Sequence, residues 1–168
     1  MSSYGGFVWT DLVKMHDGSY KMIESIEKGD VVLGGFTVIV KVEFFLTSGV
    51  ADLVQIKGGP SLTPWQPIFL ENKQKWEFPA NLGKTWSTPC NQVYNFLLDK
   101  GHILCVNGHD CITLGHNYTH DPVLIHPYFG TNKVVEDLEK QNGYKEGTVV
   151  LVDVRTERDA NGIVSRMF

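Results

Sequence analysis

Short runs of β-branched and aromatic residues, separated by Gly, Asn, Asp or Pro, dominate the pattern of apolar positions along the chain. Runs of this kind are typical of β-strands. They are VVLGGFTVIVKVEFFL (31–46), DLVQI (52–56), QVYNFLLD (92–99), HILCVNG (102–108), DCITLGH (110–116), TVVLVDVRT (148–156) and GIVSRMF (162–168). Turn-forming pairs such as Asn107-Gly108 and Asn161-Gly162 lie between them. The pattern therefore predicts a mainly β protein.

One longer segment has helical periodicity. Over residues 132–141, NKVVEDLEKQ, the spacing puts Val134, Val135 and Leu138 on one face, which we expect to be buried. Thr131 is suited to cap the start of this helix, and Asn142-Gly143 to end it. A single helical turn is also predicted at residues 22–26.

Composition and charge argue against several classes of function. The chain has 168 residues, 42% of them hydrophobic, which fits one globular domain with or without a small addition. A formal net charge of -4 argues against a nucleic-acid partner. The sequence contains no apolar run long enough to span a membrane, and the start MSSYGGFVW does not resemble a signal peptide. Three cysteines favour a reducing compartment, so a cytoplasmic location is expected, and no cofactor is predicted.

The segment LTPWQPIFL interrupts an apolar run with two prolines. Pro64 fixes its own backbone φ, and Pro67 has no N–H, so this segment cannot be a regular central strand. A kinked strand end can instead direct Thr63 and Gln66 at one carbonyl group. The competing interpretation is a polar turn that caps a strand.

The stretch GFVWTDLVKMHDGSYKMIESIEKGDVVLG (6–34) resembles the opening of the Hint superfamily, the autoprocessing domains of inteins and Hedgehog proteins. In that family a nucleophile, normally Cys, precedes Phe, and an apolar strand, DGS, K-x-I-E-x-I and GD-x-V follow. The matching positions are Phe7, Val13, Asp17-Gly18-Ser19, Lys21, Ile23-Glu24, Ile26, Gly29-Asp30 and Val32. Taken without the resemblance, the same stretch is a hairpin with a DG turn followed by a strand.

Two later stretches extend the resemblance to the end of the chain. VYNFLLDKGHILCVNG (93–108) is similar to the C-terminal strand motif of the superfamily, with Asn95 where the motif often has Asp and His102 on its His. DCITLGH (110–116) and HPYFGTNKVVEDL (126–138) resemble the Vint group, Hint domains found beside von Willebrand A-like modules. Cys111 and His116 belong to the first of these.

The resemblance implies a Hint-type horseshoe of curved antiparallel strands with a small C-terminal α/β addition. It divides the chain into an upstream, extein-like stub at residues 1–5, a Hint core at 6–117 and a C-terminal extension at 118–168 packed on the core. Inteins end soon after the Asn-Gly with His-Asn, whereas this chain continues past Asn107-Gly108 and has His116-Asn117 at a different spacing. Cleavage at the C-terminal side by Asn cyclisation is therefore not expected.

The resemblance also implies a reaction. The family nucleophile attacks the carbonyl before it, an N-to-S acyl shift gives a thioester, and water, a thiol or an amine releases the upstream segment, so the substrate is the chain's own upstream part. The scissile bond falls at Gly5–Gly6, and the implied upstream neighbour is a von Willebrand A-like domain or another domain. The implied catalytic positions are Gly6, Thr63, Gln66, Asn95, His102, Cys111 and His116.

Two of these positions depart from the family pattern. Gly6 occupies the Cys position and has no nucleophile. Thr63 to Gln66 resembles the Thr-x-x-His motif that lies beside the scissile bond in the family, and Gln66, in its His position, has no titratable proton. This chain is therefore expected to be inactive in N-terminal cleavage. One alternative is a naturally degenerate Hint domain that acts as a non-catalytic binding module.

A zinc-stabilised module is the other alternative. Cys105, His109, Cys111, His116 and His120 crowd into one segment, and thiolate and imidazole are zinc ligands. The segment has no C-x-x-C pair, and cysteines on strand-like runs are commonly buried apolar residues. The sequence therefore predicts no metal site.

Overall fold

The computed structural model describes residues 5–154, 156–161 and 164–167. Within them the chain forms one α-helix, α1 (Asn132–Glu139), and single 3-10 turns at Ile23–Ser25 and Pro79–Asn81. The strands are β1 (Leu12–Lys14), β2 (Tyr20–Met22), β3 (Val31–Val32), β4 (Phe36–Phe45), β5 (Val50–Gln55), β6 (Ser61–Leu62), β7 (Ile68–Leu70), β8 (Lys75–Glu77), β9 (Thr85–Pro89), β10 (Gln92–Leu98), β11 (Ile103–Val106), β12 (His109–Ile112), β13 (Thr148–Val152), β14 (Thr156–Arg158) and β15 (Val164–Met167). The predicted mainly β class is confirmed.

Two predicted strands are shorter than their apolar runs. The run at 31–46 is divided by Gly34 and Gly35, whose φ angles of 101° and 82° only glycine adopts readily. The run at 110–116 stops at Ile112, after which the backbone turns through Gly115 at a φ of 64°. The predicted GIV strand near the end begins at Val164, and its first two residues lie outside the described parts.

Most strand pairs are antiparallel. One sheet has the order β2-β1-β11-β12-β7-β8, a second has β10-β4-β13 with β3 also on β4, and a third has β6-β5-β9. The exception is β13, which runs parallel to β4. The predicted antiparallel sheets are confirmed, and this one parallel pair is added to them by the C-terminal part of the chain. This pair joins strands far apart in sequence, so local turn patterns did not reveal its direction.

The segment at the start of the described chain joins the second and third sheets. Phe7 forms isolated bridges to Leu62 of β6 and to Tyr94 of β10. Its N–H donates to the Tyr94 carbonyl at 2.8 Å, and its own carbonyl accepts from the Tyr94 N–H at 2.9 Å. The Phe7 ring is fully buried and packs against Phe96, with ring centroids 6.4 Å apart. The residues immediately before Phe7 are thereby held inside the fold.

Helix α1 covers one of the two apolar cores that the described residues form. Val134 and Leu138 are fully buried there and Val135 is partly buried, as their spacing predicted. The helix ends two residues earlier than predicted, and the Thr131 side chain caps it by accepting the Lys133 N–H at 3.3 Å. None of the helices in the described parts is long or apolar enough to cross a membrane.

Replacing Leu138 should measure how strongly α1 holds this core. We expect Leu138→Ala to lower the free energy of unfolding by about 2–5 kcal/mol, because it leaves a cavity at a fully buried position. Urea unfolding followed by circular dichroism measures the change. Glu136→Ala, on the exposed side of the same helix, is the control and should change stability by no more than about 0.5 kcal/mol. Equal losses in both variants would contradict the packing described.

Candidate functional site

The two prolines place Thr63 and Gln66 on one side of a strand break. Strand β6 ends at Leu62, and the turn that follows is closed by the Gln66 N–H, which donates to the Thr63 carbonyl at 3.2 Å. Pro64 and Pro67 contribute no N–H groups to this turn, so the chain resumes as a strand only at Ile68. Both side chains are buried and directed towards the start of the chain.

Thr63 makes hydrogen bonds to both the N–H and the carbonyl of Gly6. The Gly6 N–H donates to Thr63 Oγ1 at 2.9 Å, and the Thr63 N–H donates to the Gly6 carbonyl at 3.2 Å. The nitrogen of the Gly5–Gly6 peptide group is therefore fixed by a neutral hydroxyl oxygen.

Asn95, on β10, holds the carbonyl side of the same peptide group. Its Nδ2 donates to the Gly5 carbonyl oxygen at 3.0 Å and to Gln66 Oε1 at 3.2 Å. Its Oδ1 accepts the Phe96 N–H at 2.8 Å, and this contact fixes which end of the amide faces Gly5. A hydrogen-bond donor directed at a carbonyl oxygen is the arrangement that stabilises developing negative charge there.

Gln66 supports Asn95 and does not contact the Gly5–Gly6 peptide group with its donors. Its Nε2 donates to the carbonyls of Ile112 at 2.8 Å and Pro67 at 3.2 Å. With 1% of its surface exposed, the side chain has every polar atom satisfied. We call Gly5, Gly6, Thr63, Gln66 and Asn95 the amide network.

Side chains at positions 5 and 6 have little room. A Cβ on Gly5 would lie 2.9 Å from Gln66 Oε1. A Cβ on Gly6 would lie 2.3 Å from Val93 Cγ1 and 2.8 Å from the Tyr94 carbonyl oxygen, closer than real Cβ contacts. Val93 therefore fills the space that a nucleophilic side chain on residue 6 would need, a feature that sequence reasoning missed.

The structure brings His116 to a cavity next to the amide network but uses its ring structurally. Nδ1 accepts the Tyr118 N–H at 2.9 Å, and the ring is stacked on Tyr118 with centroids 5.3 Å apart. Burial lowers the pKa of His116 to about 4, so the ring is neutral near pH 7. This residue closes a turn at the cavity wall.

His102 and Cys111 have no hydrogen bond to the amide network. Burial lowers the pKa of His102, whose Nδ1 has no partner in the described structure and whose ring faces Tyr118 edge-on. Cys111 is fully buried in the core, and burial raises the pKa of its thiol well above the usual range. A thiol in that environment is a poor nucleophile. In the parts of the chain that the structure describes, no three metal-ligand side chains come together.

Asp11 is a further buried residue beside this region that the sequence did not reveal. Its carboxylate accepts the N–H groups of Val8 at 3.2 Å and Ser61 at 3.1 Å, tying the chain after Phe7 to β6. Only 2% of its surface is exposed, and burial raises its pKa from 3.8 to about 7. A single acid in the otherwise apolar run FVWTDLV was the one available signal.

Comparisons with known proteins place the chain among Hint domains. The family model Vint, described as a Hint-domain, matches residues 6–165. The solution structure of a bacterial intein-like domain from Clostridium thermocellum has a TM-score of 0.51 at 18% identity, covering 66% of this chain and 99% of that one. This likeness shows the fold.

Two inteins are also similar in structure, with lower TM-scores. The gp41-1 intein has a TM-score of 0.47 at 13% identity, covering 66% of this chain and all of that one. A DnaB intein from Synechocystis sp. PCC 6803 has a TM-score of 0.44 at 10% identity, covering 66% of this chain and 99% of the other. No curated protein matches the chain.

Asn95→Asp should disrupt the amide network. At pH 8 we expect a loss of about 1–3 kcal/mol in the free energy of unfolding, because the new carboxylate would face two acceptors, the Gly5 carbonyl and Gln66 Oε1. Urea unfolding measures the loss. Asn91→Asp, at an exposed position just before β10, is the matched control. The same stability in both variants would show that the Asn95 amide donors are not required.

Asp11 should make the free energy of unfolding depend on pH. Its pKa is higher in the folded chain, about 7, than its ordinary value of 3.8, so the folded state holds the proton more tightly. Its contribution is therefore fully present below about pH 4 and lost as the pH rises to about 7, by an amount on the order of a few kcal/mol. Urea unfolding of the wild type and of Asp11→Asn between pH 4 and 8 measures the difference. Parallel curves would show that Asp11 titrates normally.

Proposed function

The chain belongs to the Vint family of Hint domains, and on that basis we propose that its parental activity is self-cleavage at the Gly5–Gly6 bond. In this reaction a thiol on residue 6 attacks the Gly5 carbonyl carbon, and the acyl group passes from the residue-6 nitrogen to sulfur. Water, another thiol or an amine then takes the acyl group and releases the upstream segment. The substrate is the chain's own upstream part, and we propose that in the parent protein this part carries a von Willebrand A-like domain or another upstream domain.

The observation that supports this proposal is that hydrogen bonds hold both the carbonyl and the N–H of the Gly5–Gly6 peptide group. Asn95 Nδ2 lies 3.0 Å from the Gly5 carbonyl oxygen, and Thr63 Oγ1 accepts the Gly6 N–H at 2.9 Å. The first contact would stabilise the oxyanion that forms when the carbonyl is attacked. The second holds the leaving nitrogen in a fixed orientation, which lowers the entropy lost on reaching the transition state.

The site has neither a general acid nor a nucleophile at the required positions, so this chain should not cleave the bond. The nitrogen leaving Gly5 needs a proton, and a general acid contributes roughly 10²–10⁴ in rate. Gln66 has no titratable proton, and both of its donors already go to the carbonyls of Ile112 and Pro67. Gly6 supplies no nucleophile, and Val93 occupies the adjacent space. We therefore propose that the amide network still binds and orients the Gly5–Gly6 peptide group but lacks the nucleophile and the proton donor that cleavage requires.

One observation favours a second function, non-catalytic binding. Val93, Gln66 and Asn95 form a packed and hydrogen-bonded arrangement that fits the residues present at positions 5 and 6. Such mutual fit is what a naturally degenerate domain would acquire if it held an extended segment without cutting it. The same experiment distinguishes the two functions.

Restoring the missing groups should restore cleavage. We expect a Gly6→Cys, Gln66→His, Val93→Ala variant with a longer upstream tag to release the tag at the bond between residues 5 and 6 when a thiol is added. Val93→Ala is included because the new Cβ would otherwise lie 2.3 Å from Val93 Cγ1. Intact mass spectrometry identifies both products. Omitting Gln66→His should slow release by roughly 10²–10⁴.

The matched control carries Gly6→Ala with the same two other changes. It has the same added Cβ and the same repacking but no sulfur, so it should leave the tag attached. Circular dichroism establishes that each variant is folded. Absence of release from a folded thiol-bearing variant would reject self-cleavage and favour the binding module. Equal release from both variants would show hydrolysis that does not use residue 6.

A further inference from the structure

Residues 6–8 run antiparallel to residues 61–63 and pair with them over this short length. Phe7 and Leu62 form the central bridge of the pairing. A regular antiparallel pair exchanges backbone N–H and carbonyl groups on both sides of such a bridge. Here a turn uses one carbonyl on each side, and a side-chain oxygen accepts the N–H in its place. We call this pairing the β6 ladder.

At the end of the β6 ladder next to the Gly5–Gly6 peptide group, the side-chain oxygen comes from Thr63. The Thr63 carbonyl accepts the Gln66 N–H at 3.2 Å and so closes the turn after β6. Thr63 Oγ1 accepts the Gly6 N–H instead, at 2.9 Å. The orientation of the peptide nitrogen therefore depends on how residue 63 is placed beside residue 6.

At the other end of the β6 ladder the side-chain oxygens come from Asp11. The Val8 carbonyl accepts the Asp11 N–H at 3.1 Å in a tight turn. Asp11 Oδ1 accepts the Ser61 N–H at 3.1 Å in place of that carbonyl, and Oδ2 accepts the Val8 N–H at 3.2 Å. One buried carboxyl group thus binds both sides of the ladder. Each of its contacts lies two residues from the contact between Gly6 and Thr63.

Different contacts hold the β10 side of the same segment. There Phe7 exchanges both of its backbone hydrogen bonds with Tyr94, at 2.8 and 2.9 Å. The Phe7 N–H therefore faces β10, whereas the N–H of Gly6 faces the β6 ladder. A change at Asp11 should loosen the second side and leave the first intact.

We propose that Asp11 is a positioning residue for the Gly5–Gly6 bond: its carboxyl group fixes the register of the β6 ladder and so sets where Thr63 meets residue 6. Its effect on cleavage rests on the proposed function, whereas its contacts are present in the chain as it stands. Without the carboxyl group, the N–H groups of Ser61 and Val8 lose an acceptor at buried positions. Strand pairs whose register is weakly specified are prone to slip.

Amide hydrogen exchange of the full 168-residue chain, followed by NMR, tests the positioning role without any cleavage. In Asp11→Ala we expect the N–H groups of Gly6 and Thr63 to exchange about 10-fold to 100-fold faster, relative to the N–H of Phe7. Asp11→Asn keeps one acceptor oxygen and should give a smaller increase. Asp52→Ala, at an exposed position of β5, is the matched control and should leave all three rates unchanged.

Tag release from the triple variant described above tests the consequence for the reaction. Adding Asp11→Ala to it should slow release by about 10-fold to 100-fold, because a displacement of about 1 Å between reacting groups costs up to about 100-fold in rate. Circular dichroism establishes that this variant is folded. Adding Asp52→Ala should leave the rate of release unchanged.

The two readouts separate the positioning role from the proposed function. A general loss of stability would speed exchange at Gly6, Thr63 and Phe7 by the same factor, and that result, or no change at all, would overturn the positioning role. Absence of release from the triple variant with Asp11 intact would reject self-cleavage, and the exchange rates would still decide the role of Asp11 in the ladder. Equal release with and without Asp11 would overturn its effect on the reaction. If Asp11→Ala does not fold, Asp11→Asn provides the same comparisons.

Discussion

The backbone pairing of Phe7 with Tyr94 is the constraint on which the rest of the site depends. Both hydrogen-bonding groups of Phe7 are used on β10, at 2.8 and 2.9 Å, and the ring is fully buried. This leaves the preceding residue no freedom to turn away. Gly6 meets Thr63 and Gly5 meets Asn95 because the strand direction is already set. The precision of the site therefore comes from the same sheet pairing that joins the second and third sheets, and a rigid element positions a functional group better than a loop does.

The amide network is electrically neutral, and its side chains are hydrogen-bonded to one another and to the backbone. Thr63, Gln66 and Asn95 each give their donors or acceptors to specific partners. Buried polar networks of this kind are stable only when every member is satisfied, so changes within them are strongly coupled. A neutral network can orient and polarise a peptide group, but it cannot deliver a proton. Under the proposed function, the difference between holding this peptide bond and breaking it lies at positions 6 and 66, together with Val93, which occupies the space that a side chain on residue 6 would need.

Local chemistry decided which features could be predicted from the sequence. The prolines around Gln66 exclude a regular strand whatever lies nearby, so the position of the break at Thr63 could be inferred from residues alone. The packing of Val93 against Gly6 and the bonds of Asp11 depend on residues far apart in sequence, and no local pattern contains them. His116 is a residue to which the sequence drew attention although its contacts in the fold are structural. Its imidazole suggested chemistry, yet a backbone N–H occupies Nδ1, which only the folded turn reveals.

The central placement of residues 5–7 has a consequence for how the chain reaches its fold. Gly6 bonds to a residue 57 positions later, and Gly5 to one 90 positions later. Contacts this distant form only after a large loop-closure entropy has been overcome, and folds rich in them fold slowly. During synthesis this segment emerges before β6 and β10, the strands with which it pairs. Until β6 and β10 have been made, residues 5–7 have no partner strand and are exposed to pairing with another chain.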